Sequence, residues 1–108
     1  MKNVRQERIR MNNFEDNVIK WASDRNILNG STVEKQLEKL GEEFVELCLA
    51  VGKKDIKEVA DAIGDMSVVL AILAKQNDLS LSYCQLLAWD EIKGRKGIML
   101  NGKFVKEV

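Results

Sequence analysis

Residues 55–74 read DIKEVADAIGDMSVVLAILA, and this stretch decides the fold. Asp55 is suited to cap a helix, because its carboxylate can accept from the unpaired N–H groups of a first turn. Ile56, Val59, Ala60 and Ile63 then recur at three- and four-residue intervals and define one apolar face. From Met66 to Ala74 the polar face disappears and apolar side chains point round the whole helix. Such a helix has to be surrounded, by the rest of a bundle or by a second subunit.

The flanking segments supply the surroundings. Upstream, Leu37, Leu40, Phe44, Leu47, Cys48 and Val51 form the apolar stripe of another helix, opened by Ser31 or Thr32, with Glu34 in its electropositive first turn, and ended at Gly52. Before it, Phe14, Val18, Trp21, Ala22 and the stem of Arg25 mark a first helix that runs to Asn29-Gly30. Residues 1–13 are polar, rich in Lys and Arg, and expected to fray. Downstream, the decisive helix runs toward Asn77, Leu79-Ser80 connects, and Leu81–Lys93 reads as a fourth helix through Tyr83, Leu86, Leu87 and Ile92. Ile98-Met99-Leu100, Asn101-Gly102 and Lys103-Phe104-Val105 then read as a hairpin, since Asn-Gly suits a two-residue turn between strands. The expectation is one all-α domain over residues 1–108, a four-helix bundle ending in a short β-hairpin at 97–108.

Composition agrees and narrows the chemistry. The 108 residues are 45% apolar, enough for a core at a size typical of one domain. Seventeen basic residues balance seventeen acidic ones, which argues against nucleic acid or an anionic membrane as the partner, because both require a basic surplus. There is no proline, as suits helices with short connections, and no histidine. Without histidine, Ser-His-Asp and Cys-His catalysis and imidazole-held zinc or copper are excluded. A bound metal would be held by oxygens, which favours Mg²⁺, Mn²⁺ or Ca²⁺. Cys48 and Cys84 read as reduced core thiols, and with no apolar run of signal length the expected location is the cytoplasm.

The acidic residues carry the function. Glu43 and Glu46 stand one turn apart at a border of their helix's stripe, whereas Glu42 points away from it. On the next helix Asp61 and Asp65 share one side, with Glu58 a turn earlier. Acidic pairs on helices usually only solubilise a face, and Lys35, Lys39, Lys53, Lys54 and Lys57 are available as partners. Two features set these apart. Asp61 and Asp65 lie on the side that Val68 and Ile72 continue, so that side enters packed surroundings, where carboxylates need a cation. An antiparallel pair joined by Gly52-Lys53-Lys54 also brings both acidic sets to similar heights, as in a Mg²⁺ cage.

These residues resemble the MazG-like members of the all-α nucleoside triphosphate pyrophosphohydrolases. Glu42-Glu43-Phe44-Val45-Glu46 matches the E-E-x-x-E of that family, and Gly64-Asp65-Met66 its Gly-Asp-hydrophobic step. Where the family's second helix carries E-x-x-D, this chain has Ala62, with Asp61 or Glu58 as nearby substitutes. Trp21-Ala22-x-Asp24-Arg25-x-Ile27, Ser31-Thr32 followed by Gln36 and Leu40, and the ending from Ile92 through Arg95-Lys96-Gly97 to Lys106 are similar to the short, phage-type members.

The resemblance implies hydrolysis of a nucleoside or deoxynucleoside triphosphate between the α- and β-phosphates, giving monophosphate and pyrophosphate. It implies Mg²⁺, or Mn²⁺, on Glu43, Glu46 and Asp65, with Asp61 and then Glu58 beyond them. Glu42 or Glu46 is left to take a proton from the attacking water. Lys93, Arg95 and Lys96 are candidates for the phosphates, and Trp21 with Gln36 for the nucleoside; Trp89 reads as core. The competing reading is a non-catalytic helical interaction or regulatory module of the same fold, which Ala62 supports. A nucleic-acid-binding role would rest on Lys2, Arg5, Arg8 and Arg10. The all-round apolar helix predicts a homo-oligomer, dimer or tetramer, with Val68 and Ile72 or their neighbours at the interface.

Overall fold

Thr32, Asp55 and Ser80 each open a helix by accepting a hydrogen bond at 3.1 Å from the backbone N–H three residues on. The computed structural model describes residues 13–108, so the expectation for 1–13, with Lys2, Arg5, Arg8 and Arg10, falls outside the described residues except at Asn13. The elements are α1 (Phe14–Asp24), α2 (Ile27–Gly30), α3 (Val33–Lys53), α4 (Ile56–Gln76), α5 (Leu81–Ile92), β1 (Gly97–Leu100) and β2 (Lys103–Lys106). Four long helices and the hairpin are as expected.

Two boundaries differ. The first helix does not run on to Asn29-Gly30; it stops at Asp24, and Asn26 takes a left-handed φ of 57° before the single turn of α2. Asparagine tolerates that conformation, so the chain breaks without a glycine. Similarly α3 continues through Gly52, and Lys54 supplies the left-handed residue, φ 58°. The N–H groups of Lys54 and Asp55 return to the carbonyls of Val51 and Ala50, both at 3.1 Å, and this closure fixes the antiparallel α3–α4 turn. At the hairpin, Asn101 and Gly102 both have positive φ, 52° and 80°, as the primed two-residue turn requires, and Leu100 pairs with Lys103.

The packing of α3 against α4 is the main one in the chain. Among the covered positions, Gln36, Leu40, Glu43, Leu47 and Ala50 line one face of α3, and Val59, Ala62, Met66, Val69 and Leu73 line one face of α4. Both follow alternating three- and four-residue steps, the spacing of an antiparallel coiled seam. On one side of this hairpin lies α1, where Val18 and Ala22 meet Ala71 and Ile72, with Ile19, Ile27, Leu28, Val68 and Leu81 around them. Val68 and Ile72 are therefore covered within the chain and do not form the expected exposed patch, because α1 occupies their side.

The uncovered apolar surface lies elsewhere. Leu37, Phe44 and Val51 on α3, and Ile56, Ile63 and Leu70 on α4, are between 41% and 77% exposed. Each set repeats every seven residues, and in antiparallel helices both sets fall on the face opposite α1. The stripe read from the sequence of α3 is thus wider than the seam, and Cys48, free and exposed, belongs to its uncovered part rather than to the core.

No residue of α5 is buried, and both faces of the hairpin are exposed. Trp89, expected in the core, is exposed, because only Leu81 and Cys84 of α5 are even partly covered. That start is held from afar: the Glu15 carboxylate of α1 accepts from the backbone N–H groups of Leu81 and Ser82 and from the Ser82 hydroxyl. Partial burial opposes ionisation of Glu15, but the bonds from Ser82 and Leu81 outweigh it and hold the carboxyl below its ordinary value. Glu15→Ala should cost about 1–2 kcal/mol, as loss of a helix cap does, and amide exchange should show the extra opening confined to α5. Uniform loss of protection across α3 and α4 instead would refute a local role.

Candidate metal centre

Glu43 and Glu46 on α3 and Asp65 on α4 each bring a carboxylate oxygen within 4.8 Å of the others. The seam creates this convergence. Glu43 occupies a covered position of α3 and is only 4% exposed, Glu46 follows one turn later on the open side, and half-buried Asp65 faces them across the helix pair. Lys39, one turn before Glu43, places its ammonium 3.1 Å from Glu43 Oε1 and 3.8 Å from Glu42 Oε2. The second oxygen, Glu43 Oε2, is buried with no hydrogen-bond partner. A buried carboxylate oxygen without a donor is costly, and a divalent cation among three carboxylates is the group that would satisfy it. The donor set, oxygens only, fits Mg²⁺ or Mn²⁺.

The electrostatics show the same strain. The negative charge of Glu43 close by raises Glu46 above its ordinary value, desolvation adds to this, and Lys39 only partly opposes it. Burial raises Asp65 likewise, reinforced by the charges of Asp61 and Glu43. Carboxyls with raised folded values contribute stability that is complete below their unfolded values and is lost as pH rises through the folded ones. Metal-free protein should therefore melt at a higher temperature as pH is lowered from neutrality, so long as pH stays above 4.5, the ordinary glutamate value below which Glu15 begins to act the other way. Saturating Mn²⁺ at neutral pH should remove that gain. Calorimetry across this range checks both, and a metal-free melting temperature that falls on mild acidification would contradict the cluster.

The remaining expected residues have definite places. Glu42 is exposed beside Lys39, outside the converging three. Asp61 and Glu58 line a cavity of about 270 Å³ with Glu46 and buried Ala62, next to the cluster but not in it. Trp21 and Gln36 line a larger cavity, about 580 Å³, between α1, α2, α3 and α4, and Lys39 lies on its wall. The buried amide of Gln36 donates to Ser31 Oγ at 3.0 Å. Trp21 also borders a cavity of about 480 Å³ that Asp65 lines. Lys93 and Arg95 pair with Asp90 and Glu91 of their own segment, at 2.9 and 2.8 Å, and Lys96 follows them toward β1. None of these three lines the cavities around the cluster.

Two residues of this region are not evident from periodicity. Arg25 stacks its guanidinium over Trp21 at 4.7 Å, so one ring face is already taken. Lys39 reads from the sequence as one of several surface counter-charges; its spacing of four from Glu43 was the available signal.

A family model described as phosphoribosyl-ATP pyrophosphohydrolase matches residues 12–86, a span that holds α1 to α4, the carboxylate cluster and the start of α5. An uncharacterized 18.2 kDa protein from the rep-hol intergenic region of Haemophilus phage HP1 is 51% identical over 63 residues, 58% of this chain and 39% of that protein. The chain thus spans well under half the length of that relative. No solved structure matches it.

Proposed function

Because this chain belongs to the phosphoribosyl-ATP pyrophosphohydrolase family, and because three carboxylates converge and one of them carries a buried oxygen with no partner, we propose that it is a metal-dependent pyrophosphohydrolase of nucleoside or deoxynucleoside triphosphates. Water attacks the α-phosphorus, the bond to the α–β bridging oxygen breaks, and monophosphate and pyrophosphate leave. The convergence of Glu43, Glu46 and Asp65 carries this reading, and those three would hold Mg²⁺, with Asp61 nearest among the further acids. The cation supplies charge neutralisation for the triphosphate and activation of the attacking water.

The chain's own groups divide the rest. Glu46 is open to solvent at the edge of the cluster, which suits it to accept the proton of the water; Glu42 is the alternative acceptor. Trp21 and Gln36 line the cavity next to the cluster, and the nucleoside end of the substrate is proposed to occupy that cavity. Lys93, Arg95 and Lys96 lie on the exposed α5–hairpin arm, so their contribution to phosphate binding is proposed to come with assembly.

A homo-oligomer is part of this proposal. The Cα radius of gyration is 16.9 Å, against about 13 Å for a compact chain of this length. The two heptad stripes opposite α1 expose six large apolar side chains by 41% to 77%, an apolar face of the kind that marks a protein interface. A second copy of the same uncharged face is the matching occupant. No described helix is long and apolar enough to cross a membrane.

Pyrophosphate release measured across a panel of ribo- and deoxynucleoside triphosphates, with Mg²⁺ and with chelator, tests the activity. Metal-dependent release from at least one is expected. A folded, metal-loaded protein that releases none would support the non-catalytic module instead.

A further inference from the structure

Lys39 stands at the junction of two features, the acidic cluster and the larger cavity. Its ammonium pairs with Glu43 Oε1 at 3.1 Å and lies 3.8 Å from Glu42 Oε2, while its side chain, 52% exposed, also forms part of the wall with Trp21, Arg25 and Gln36. A single ammonium satisfies one oxygen of Glu43 and leaves Oε2 bare. It is an incomplete substitute for a cation that could meet all three carboxylates. Lysine also carries its charge on a flexible stem, unlike the rigid fork of arginine, so the same group can leave Glu43 without any movement of α3.

We propose that Lys39 is a tethered stand-in for the metal, exchanged rather than merely neighbouring. In the metal-free protein it holds Glu43; when a divalent cation takes the cluster, Lys39 turns into the adjoining cavity, where its ammonium meets the anionic chain of the bound nucleotide. Loading of the metal and binding of a triphosphate are thereby coupled through one side chain. This rests on the metal-centre reading above and adds to it a positioning role for Lys39 that the carboxylates alone do not imply. Lys35 is the internal comparison: it lines the same cavity, but its ammonium is engaged by Glu38 at 3.2 Å and does not touch the cluster.

The test uses the full chain and two probes. Mn²⁺ alone is titrated by electron paramagnetic resonance, and α,β-methylene analogues of the four deoxynucleoside triphosphates are titrated against Mn²⁺-saturated protein by tryptophan fluorescence. Lys39→Met removes a like charge next to a ligand oxygen, so Mn²⁺ should bind about five- to tenfold more tightly, while the analogue that binds the unaltered protein best should bind at least several-fold more weakly. Lys39→Arg should restore much of the analogue binding, and Lys35→Met should leave Mn²⁺ binding unchanged. Because Lys39 is largely solvated, a melting curve near that of the unaltered protein is expected for each variant. Mn²⁺ binding that is unchanged or weaker in folded Lys39→Met would overturn the exchange. If the unaltered chain binds no Mn²⁺ at all, the metal-centre reading fails, and this one with it.

Discussion

Glu43→Gln should abolish the stabilisation that divalent cations confer, and with it at least a hundredfold of pyrophosphate release, while leaving the metal-free fold almost as stable as before. Glu43 is the buried member of the cluster, with one oxygen on Lys39 and the other on nothing. The amide keeps the shape that packs in the seam but donates where a cation needs an acceptor. Removal of a charge that its surroundings satisfy only in part costs the chain little, within about 1 kcal/mol in either direction, because Lys39 is solvated and simply turns to water. At a metal concentration of one hundred times the dissociation constant, the unaltered protein gains about 2.7 kcal/mol, or several degrees in melting temperature for a domain of this size. The variant should gain nothing. Glu46→Gln and Glu42→Gln then separate ligand from proton acceptor: the acceptor's variant retains Mn²⁺ binding and loses turnover, and a ligand's variant loses both. Full metal-induced stabilisation in Glu43→Gln would remove this residue, and the seam-centred site, from the proposal.

What the sequence made legible was what local chemistry decides. The caps at Asp55 and Thr32, the Asn101-Gly102 turn and the convergence of Glu43 with Glu46 depend on neighbours within four residues, and each is found where spacing puts it. Asp65 too could be placed, because the short α3–α4 link leaves little freedom in how the two helices face each other. What could not be read is how far each helix rotates about its own axis. The apolar arc of α3 runs from Glu43's border to Cys48, and nothing in the spacing says which part faces α4. Tertiary packing chose the part that includes Gln36 and Glu43, and this left Leu37, Phe44 and Val51 outside. The same rotation turns Glu43 from a border residue into a buried one, which is the origin of its unpartnered oxygen. Long-range polar contacts, such as Glu15 capping α5 across 66 residues, carry no periodic signal at all.

Ile63→Glu should convert an oligomer into a monomer, the second large effect expected of this chain. The substitution sits on α4 at the centre of the uncovered stripe, with Phe44 its counterpart on α3, and Ile63 is already 53% exposed in the isolated chain. If that face met only water, adding a carboxylate there would shift stability by no more than about 0.5 kcal/mol. If it meets a second copy, two-fold symmetry places Ile63 at the contact twice. Burial of each such side chain is worth about 1.5–3 kcal/mol, so one substitution weakens association by roughly two to four powers of ten. Ile72→Glu, on the helix's other side, is a poor probe of assembly, because Ile72 is 3% exposed beneath α1 and a charge there would unfold the chain itself. The contrast makes the measurement decisive. Multi-angle light scattering should give the unaltered protein a mass of at least twice 12.3 kDa, and folded Ile63→Glu a mass of one chain. Because α5 and the hairpin find so little cover on their own chain, the monomer should also lose protection in that arm, and hydrolysis should fall with it if Arg95 and Lys96 act only once the arm is held by a partner. A well-folded monomer of the unaltered chain at full activity would show instead that the six exposed side chains serve something other than self-association.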